Sequence, residues 1–392
     1  MQDLLLLALL LSAVAIGWWL GRRERGKQTP SPASSLSRDY FVGLNYLLNE
    51  QPDQAIETFI SALEINSDTI ETHIALGNLF RTRGEADRAV KIHQNLLARP
   101  SLNQEQGSLV QLELSRDFLV LGLLDRAERL LQNLVRDASD ERTRQAGKRL
   151  LVDLFEREKE WQAALDVAQP TLVRQHEDLQ RAAAHWLCEL AQQDLQSISP
   201  SMARKRLHQA LSIDKSCIRA NWLLARIEHE TAHYAAEIRL LQRIPEQDVN
   251  FTPIVLEALR EAYLLLDDET GFETYLHQLV ETTPLTSVII TLGDLLWHRQ
   301  GYDAAVEFIS AQLAREPSLR GVDYLMHLYR HEMGPQEQPR IELLKRHTEA
   351  LLETMPRYRC RCCGFAGLQL HWQCPRCRSW GTTKPITGIE GE

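Results

Sequence analysis

A 34-residue echo constrains this chain more than any other feature. Gly43 answers to Gly77, Tyr46 to Phe80 and Ala55 to Ala89, each 34 residues apart. Small residues at two fixed places with that period predict a helix–turn–helix unit of the tetratricopeptide (TPR) type. The reason is steric. Gly77 and Ala89 fall where the two helices of a unit cross, and a larger side chain would hold the backbones apart. Phe80, Val90 and Leu96 are expected to fill the remaining space. Thr72–Pro100 shows one unit in full, two apolar helical patterns about a turn at Gly84. Such a unit cannot bury its apolar face alone, so it needs stacked neighbours.

Further units follow at changing quality. The third has Gly122 and Ala127 in the roles of Gly84 and Ala89, four residues late, which predicts a longer loop near Ser101–Gln106. The fourth is weaker, with Trp161 and Ala164 opening its second helix. The fifth has a long turn at Gln196–Pro200 before Ala203 and Ala210. The sixth keeps Ala225 but has Glu237 where a small residue belongs. Phe251–Pro284 departs furthest, and Gly293, Ala305 and Pro317 restore the pattern. Leu319–Met355 reads as a last pair, interrupted at Gly334-Pro335. The expectation is an all-α TPR-type solenoid over residues 36–355, with about eight to nine repeats. An apolar content of 44% is ordinary for a folded protein, and scarce β-branched runs favour helix over sheet.

The two ends differ from the array. Leu4–Leu20 is apolar apart from Ser12 and Gly17, and as a helix it spans about 25 Å. Trp18 and Trp19 close it, and Arg22, Arg23, Arg25 and Lys27 follow. That pattern predicts a transmembrane anchor over residues 1–21, with the rest of the chain on the cytoplasmic side of an inner membrane. A cleaved signal peptide fits less well, because the basic residues stand on the wrong side of the apolar run. Residues 22–35 form a basic juxtamembrane segment and a Pro- and Ser-bearing linker. Residues 356–392 carry Cys360/Cys363 and Cys374/Cys377, two C-x-x-C pairs ten residues apart. Four thiolates so paired predict one metal in a tetrathiolate site, zinc or a rubredoxin-type iron, with Gly364 and Pro375 allowing the turns. Cys362 is read as a spare thiol. So small a domain needs the metal to fold. The tail is expected to brace one end of the array or to supply a second contact.

Other motifs carry little chemistry. His229-Glu230-Thr231-Ala232-His233 matches H-E-x-x-H, but the repeat register ends a helix inside it, so the two rings would not share a face. Asn250-Phe251-Thr252 matches a glycosylation sequon that a cytoplasmic chain would not use. Cys188, Cys217, His185 and His208 read as packing or surface residues. No phosphate-cradling loop, nucleophile elbow or dinucleotide fingerprint is present. A net charge of −9 argues against a nucleic-acid grip along the chain. Arg357, Arg359, Arg361, Arg376, Arg378 and Lys384 make the tail basic. They suit RNA, an acidic protein, the array or anionic lipid headgroups.

The layout resembles one family. A short anchor ending in Gly21-Arg22-Arg23, the string Ser37-Arg38-Asp39-Tyr40, the run Gly77-Asn78-Leu79-Phe80-Arg81 and a four-cysteine tail ending in Lys384-Pro385-Ile386 resemble the lipopolysaccharide assembly protein B family. The resemblance covers the whole chain and is tightest in the first repeats and the tail. It implies a non-enzymatic inner-membrane adaptor that brings LpxC, the committing deacetylase of lipid A synthesis, to the membrane protease FtsH. It also implies restraint by a membrane-embedded sensor, and a rubredoxin-type domain packed on the repeats through Cys360, Cys363, Cys374 and Cys377. Cys362 and Gln373 depart from the family pattern without removing a ligand. An electron carrier and an RNA-binding membrane protein are the rival readings. The sequence leaves the oligomeric state open, a dimer included.

Overall fold

The computed structural model describes residues 70–392 apart from a few isolated positions, together with scattered positions before residue 70. Of the expected anchor only Trp18 and Trp19 are described, both helical and exposed. The rest of it, and most of the first repeat, lie outside the described residues. Among the described residues no helix is long and apolar enough to cross a membrane.

The helices run in pairs: α1 (Ile70–Thr82) with α2 (Ala86–Leu97), α3 (Gln104–Val120) with α4 (Leu124–Asp137), and α5 (Glu141–Glu158) with α6 (Trp161–Ala168). After the short α7 (Thr171–Gln175) come α8 (Glu177–Gln196) with α9 (Pro200–Ile213) and α10 (Ile218–Glu230) with α11 (Tyr234–Gln247). Then follow α12 (Thr252–Leu265) with α13 (Glu269–Thr282), α14 (Thr286–Gln300) with α15 (Tyr302–Arg315), and α16 (Leu319–Glu332) with α17 (Gln338–Thr354). The chain divides into two compact units, one up to Leu150 and one from Leu151, the boundary falling within α5.

A shared turn joins five of these pairs. Gly84, Gly122, Lys159, Ala232 and Asp267 all have positive φ, between 58° and 84°. Each stands two residues before the second helix of its pair. The next N–H then reaches back to the first helix: Glu85 to Phe80 O at 2.9 Å, Leu123 to Phe118 O at 2.9 Å, Glu160 to Phe155 O at 2.9 Å, His233 to Glu228 O at 2.8 Å and Asp268 to Tyr263 O at 3.0 Å. This is the left-handed C-terminal cap that satisfies orphan helix carbonyls. Glycine marks only two of the five turns, which is why the middle units look irregular in sequence.

The crossing at Gly77 is as expected in place but not in filling. A Cβ on Gly77 would stand 2.4 Å from Nε2 of His93. Phe80, Ala89 and Leu96 are buried, whereas Val90 is only half-buried, and the fully buried His93 occupies the space instead. Its Nδ1 bonds the Asp117 carboxylate, which also takes Arg81 Nη1 at 2.8 Å. Glu113 accepts the other Arg81 nitrogen at 2.7 Å. A buried imidazole, two acids and a guanidinium thus tie α1, α2 and α3, each charge answered as burial demands.

The late register of the third unit has a different cause from the expected loop. Gln104–Gln106 are helical, and α3 has 17 residues where α1 has 13. One extra helical turn delays everything after it. Asn103 and Gln106 close its start as a reciprocal capping box, Asn103 Oδ1 accepting from Gln106 N at 2.8 Å. Ser115, fully buried, then takes the crossing position of Gly77. In the fourth unit α6 stops at Ala168, because Gln169 precedes Pro170 and is pushed to extended backbone. The stretch Phe251–Pro284 is an ordinary helix pair with large residues in the places of Gly77 and Ala89, the half-buried Arg260 and the buried Phe272.

Past α17 the chain forms a three-stranded antiparallel sheet, β1 (Tyr358–Cys360), β2 (Ala366–Gly367) and β3 (Thr383–Pro385), in the order β2-β1-β3. Arg359 sits between Ala366 and Lys384 in register.

Candidate metal centre and its seat on the helix pairs

Two knuckles carry the four cysteines. In the first, Gly364 at φ +74° donates its N–H to Cys360 O at 3.0 Å. In the second, Arg378 at φ +60° donates to Cys374 O at 2.8 Å. The two turns are equivalent, so the residue that allows the second is Arg378 rather than Pro375. One ligand atom from each of Cys360, Cys363, Cys374 and Cys377 lies within 4.8 Å of the others. The Cys360–Cys377 sulfurs are 3.7 Å apart and the Cys363–Cys374 sulfurs 3.6 Å apart. A tetrahedron with zinc–sulfur bonds of ~2.3 Å has edges of about 3.8 Å, so the donor set fits one tetrathiolate metal. Cys362 is exposed and outside this cluster, accepting from Ser379 Oγ at 3.7 Å.

Electrostatics of the sulfurs agree with a cation between them. Burial pushes the Cys377 thiol up, but its hydrogen bonds with the Ser379 hydroxyl and N–H, and with neighbouring cysteines, bring it down to about 6. Burial opposes ionisation of Cys360 too, and the Thr382 hydroxyl with the Cys363 and Cys362 N–H groups outweighs it. The Phe365 N–H favours the Cys363 thiolate, yet burial and three sulfur neighbours push that thiol up to about 12. Burial raises Cys374 as well. A metal ion binds the thiolate form, so its binding would displace the protons of these four sulfurs.

The ribbon folds back onto helices far from it in sequence. Trp380 is buried, stacked on His185 with ring centroids 5.3 Å apart and edge-on to Trp161 at 5.8 Å. Its indole N–H donates to Glu156 Oε1, which also accepts from Trp186 Nε1 at 2.7 Å. Burial raises the Glu156 carboxyl, and the two indole bonds oppose that. Trp372 stacks on Phe251 at 5.9 Å with an interplanar angle of 5°, and Arg219 lies over its ring. Lys384 pairs with Asp248 at 2.6 Å and Arg378 with Asp153 at 3.2 Å. These contacts fall between Asp153 and Phe251, not at the last helix pair, so the ribbon seats mid-array in sequence instead of bracing an end. Two of the tail's basic residues are committed to the array. His185 is packing, as expected, and burial followed by Arg219 and Arg181 lowers it to about 3, leaving it neutral.

Sequence reasoning did not find Glu156, Asp153 or Asp248, since an acid on a helix face carries no mark of a partner more than a hundred residues away. The H-E-x-x-H string is broken as expected. Helix α10 ends at Glu230, and Ala232 has φ +58°. His229 turns to Glu237 at 3.0 Å and His233 to Glu228 at 3.1 Å. Cys188 and Cys217 are buried, with sulfurs 3.9 Å apart. His208 is exposed.

Repeated helix pairs with a common left-handed turn, joined to a four-cysteine ribbon, define a TPR-like helical-repeat protein with a C-terminal zinc-ribbon domain. The family model of the rubredoxin metal binding domain matches residues 358–385. Lipopolysaccharide assembly protein B of Escherichia coli K12 is 37% identical over 390 residues, 99% of each chain. The protein of that name in Haemophilus influenzae is 34% identical over 403 residues, covering 98% of this chain and 99% of its own. The chain therefore belongs to the lipopolysaccharide assembly protein B family. A solved tetratricopeptide repeat protein from Parabacteroides merdae is 13% identical, covering 67% of this chain and 100% of that one at TM-score 0.34.

Proposed function

We propose that the chain is a non-enzymatic adaptor in lipopolysaccharide assembly, tethered to the inner membrane through residues 4–20 with its repeats and ribbon on the cytoplasmic side. In this reading it limits lipid A synthesis by presenting the deacetylase LpxC to the protease FtsH. The relatives' names support the pathway. The observation that carries the adaptor reading is the closed set of four thiols. Cys360, Cys363, Cys374 and Cys377 would fill a tetrahedral ion's coordination and leave no open position for a substrate. A bound iron or zinc would supply folding energy to the ribbon. The chain's own residues then fix the ribbon on the array through Trp372, Trp380, Arg378 and Lys384. Stacked helix pairs offer surface for protein partners, and a membrane tether raises the local concentration of anything they hold.

The test is the half-life of the deacetylase after synthesis is stopped, in cells carrying the full chain or a version lacking residues 1–21. The truncated chain is expected to fold and to leave the deacetylase long-lived. Rapid turnover with the truncated chain would refute tethering. Rapid turnover with no copy of the chain at all would refute the adaptor role.

A further inference from the structure

A cavity of about 310 Å³ lies between the ribbon and the helices that seat it. Its size is at the lower end for a small-molecule site. Arg181 of α8 reaches it from the array, and Arg361, inside the first cysteine knuckle, reaches it from the ribbon. Trp372 and Phe251, stacked on each other, form an aromatic wall.

The charges around this cavity are unequally answered. Asp248 is taken by Lys384 at 2.6 Å and by Asn250. Asp214 is taken by the N–H and hydroxyl of Ser216 at 2.9 and 2.6 Å. Among the described residues, the Arg181 and Arg361 guanidiniums have no ion-pair or side-chain hydrogen-bond partner. His185, in the same wall and only 3% exposed, leaves Nδ1 without a partner. Buried polar atoms in native proteins are nearly always satisfied, so an orphan beside a cavity points to something that enters it.

The geometry points to a binding site for a phosphate-class anion at this junction, held between Arg181 and Arg361 against the Trp372 wall. Guanidinium forks match phosphate oxygens in pairs, and one fork from each side gives a single anion a hold on both ribbon and array. A bound anion would therefore tighten the ribbon's seat. The same chemistry is offered by a soluble phosphate compound and by a phospholipid headgroup. The site is independent of the adaptor reading, since it needs only the seated ribbon.

The experiment uses the full chain in a neutral detergent, titrated by calorimetry with inorganic phosphate and with pyrophosphate. A parallel titration uses micelles doped with phosphatidic acid. Arg181→Gln and Arg361→Gln are each expected to weaken binding about tenfold, ~1.4 kcal/mol, with metal content and helicity unchanged. Arg376→Gln, on a ribbon residue that does not line the cavity, is expected to bind as the parent does. Arginine-dependent binding of pyrophosphate assigns a soluble ligand, and arginine-dependent binding of phosphatidic acid alone assigns a headgroup. No binding in either arm, or equal loss with Arg376→Gln, overturns the site.

Discussion

The pairs α1/α2 and α12/α13 share the same turn, yet at the crossing positions one holds Gly77 and Ala89 and the other Arg260 and the buried Phe272. In the first, the small pair lets a histidine ring fill the gap, and the apolar cluster described there is formed by α1 and α2 themselves. In the second, large side chains fill the crossing from within, and the same apolar cluster takes in Leu370 and Trp372 of the ribbon. Small residues at a crossing are thus one solution among several. Where a foreign element joins the core, side-chain volume is redistributed, and the repeat signature fades from the sequence without the helix pair being lost.

The sharpest way to separate the two regions is to remove the metal site. Cys374→Ser is expected to abolish metal binding and unfold the ribbon, forfeiting about 10 kcal/mol of metal-linked folding energy. Metal analysis and Trp380 fluorescence would report it, while α1–α4 keep their helicity. Retained metal with an unchanged spectrum would mean that the ligand set is wrong. Next in size is Gly381→Ala. Gly381 has φ +63°, and a Cβ there would stand 3.0 Å from His185 Nε2 and 3.1 Å from Arg181 Cδ. A seating loss of roughly 2 kcal/mol is expected from the strain and the clash. Protease sensitivity of residues 356–392 is the measurement, and parental resistance would disprove the close approach.

A smaller effect is expected at Glu237, the acid in a small-residue position. It is 3% exposed, and burial raises its carboxyl above the ordinary value despite the bond from His229. An acid raised on folding contributes its stability below its unfolded value of ~4.3 and loses it as pH rises through the folded value. Glu237→Gln should therefore flatten the fall of stability across that window. At neutral pH it should match or exceed the parent by up to ~1 kcal/mol. Denaturant melts at stepped pH decide it, and parallel curves for the two proteins would exclude the buried-acid account. Smallest of all, Ala232→Gly relieves a left-handed alanine and should add about 0.5 kcal/mol. A loss on the same melts would contradict the turn assignment.

What was legible in the sequence follows from locality. Gly84 and Gly122 announce their turns because glycine is the usual answer to positive φ, whereas Lys159 and Asp267 adopt the same backbone without any mark. Cys360, Cys363, Cys374 and Cys377 could be grouped because their spacing is itself the constraint. His93 was not assigned to the Gly77 gap, since its partner Asp117 lies on another helix pair. The seat of the ribbon was illegible for the same reason, with Trp380 and Glu156 separated by 224 residues.

One oxygen of Glu156 takes the indole protons of both Trp186, deep in the helices, and Trp380, on the ribbon. If the ribbon lets go for want of its ion, that carboxylate is left half-solvated in a place already hostile to charge. The helices around it would then have to rearrange or admit water. Loss of the ion would in this way be felt among the helices that seat the ribbon.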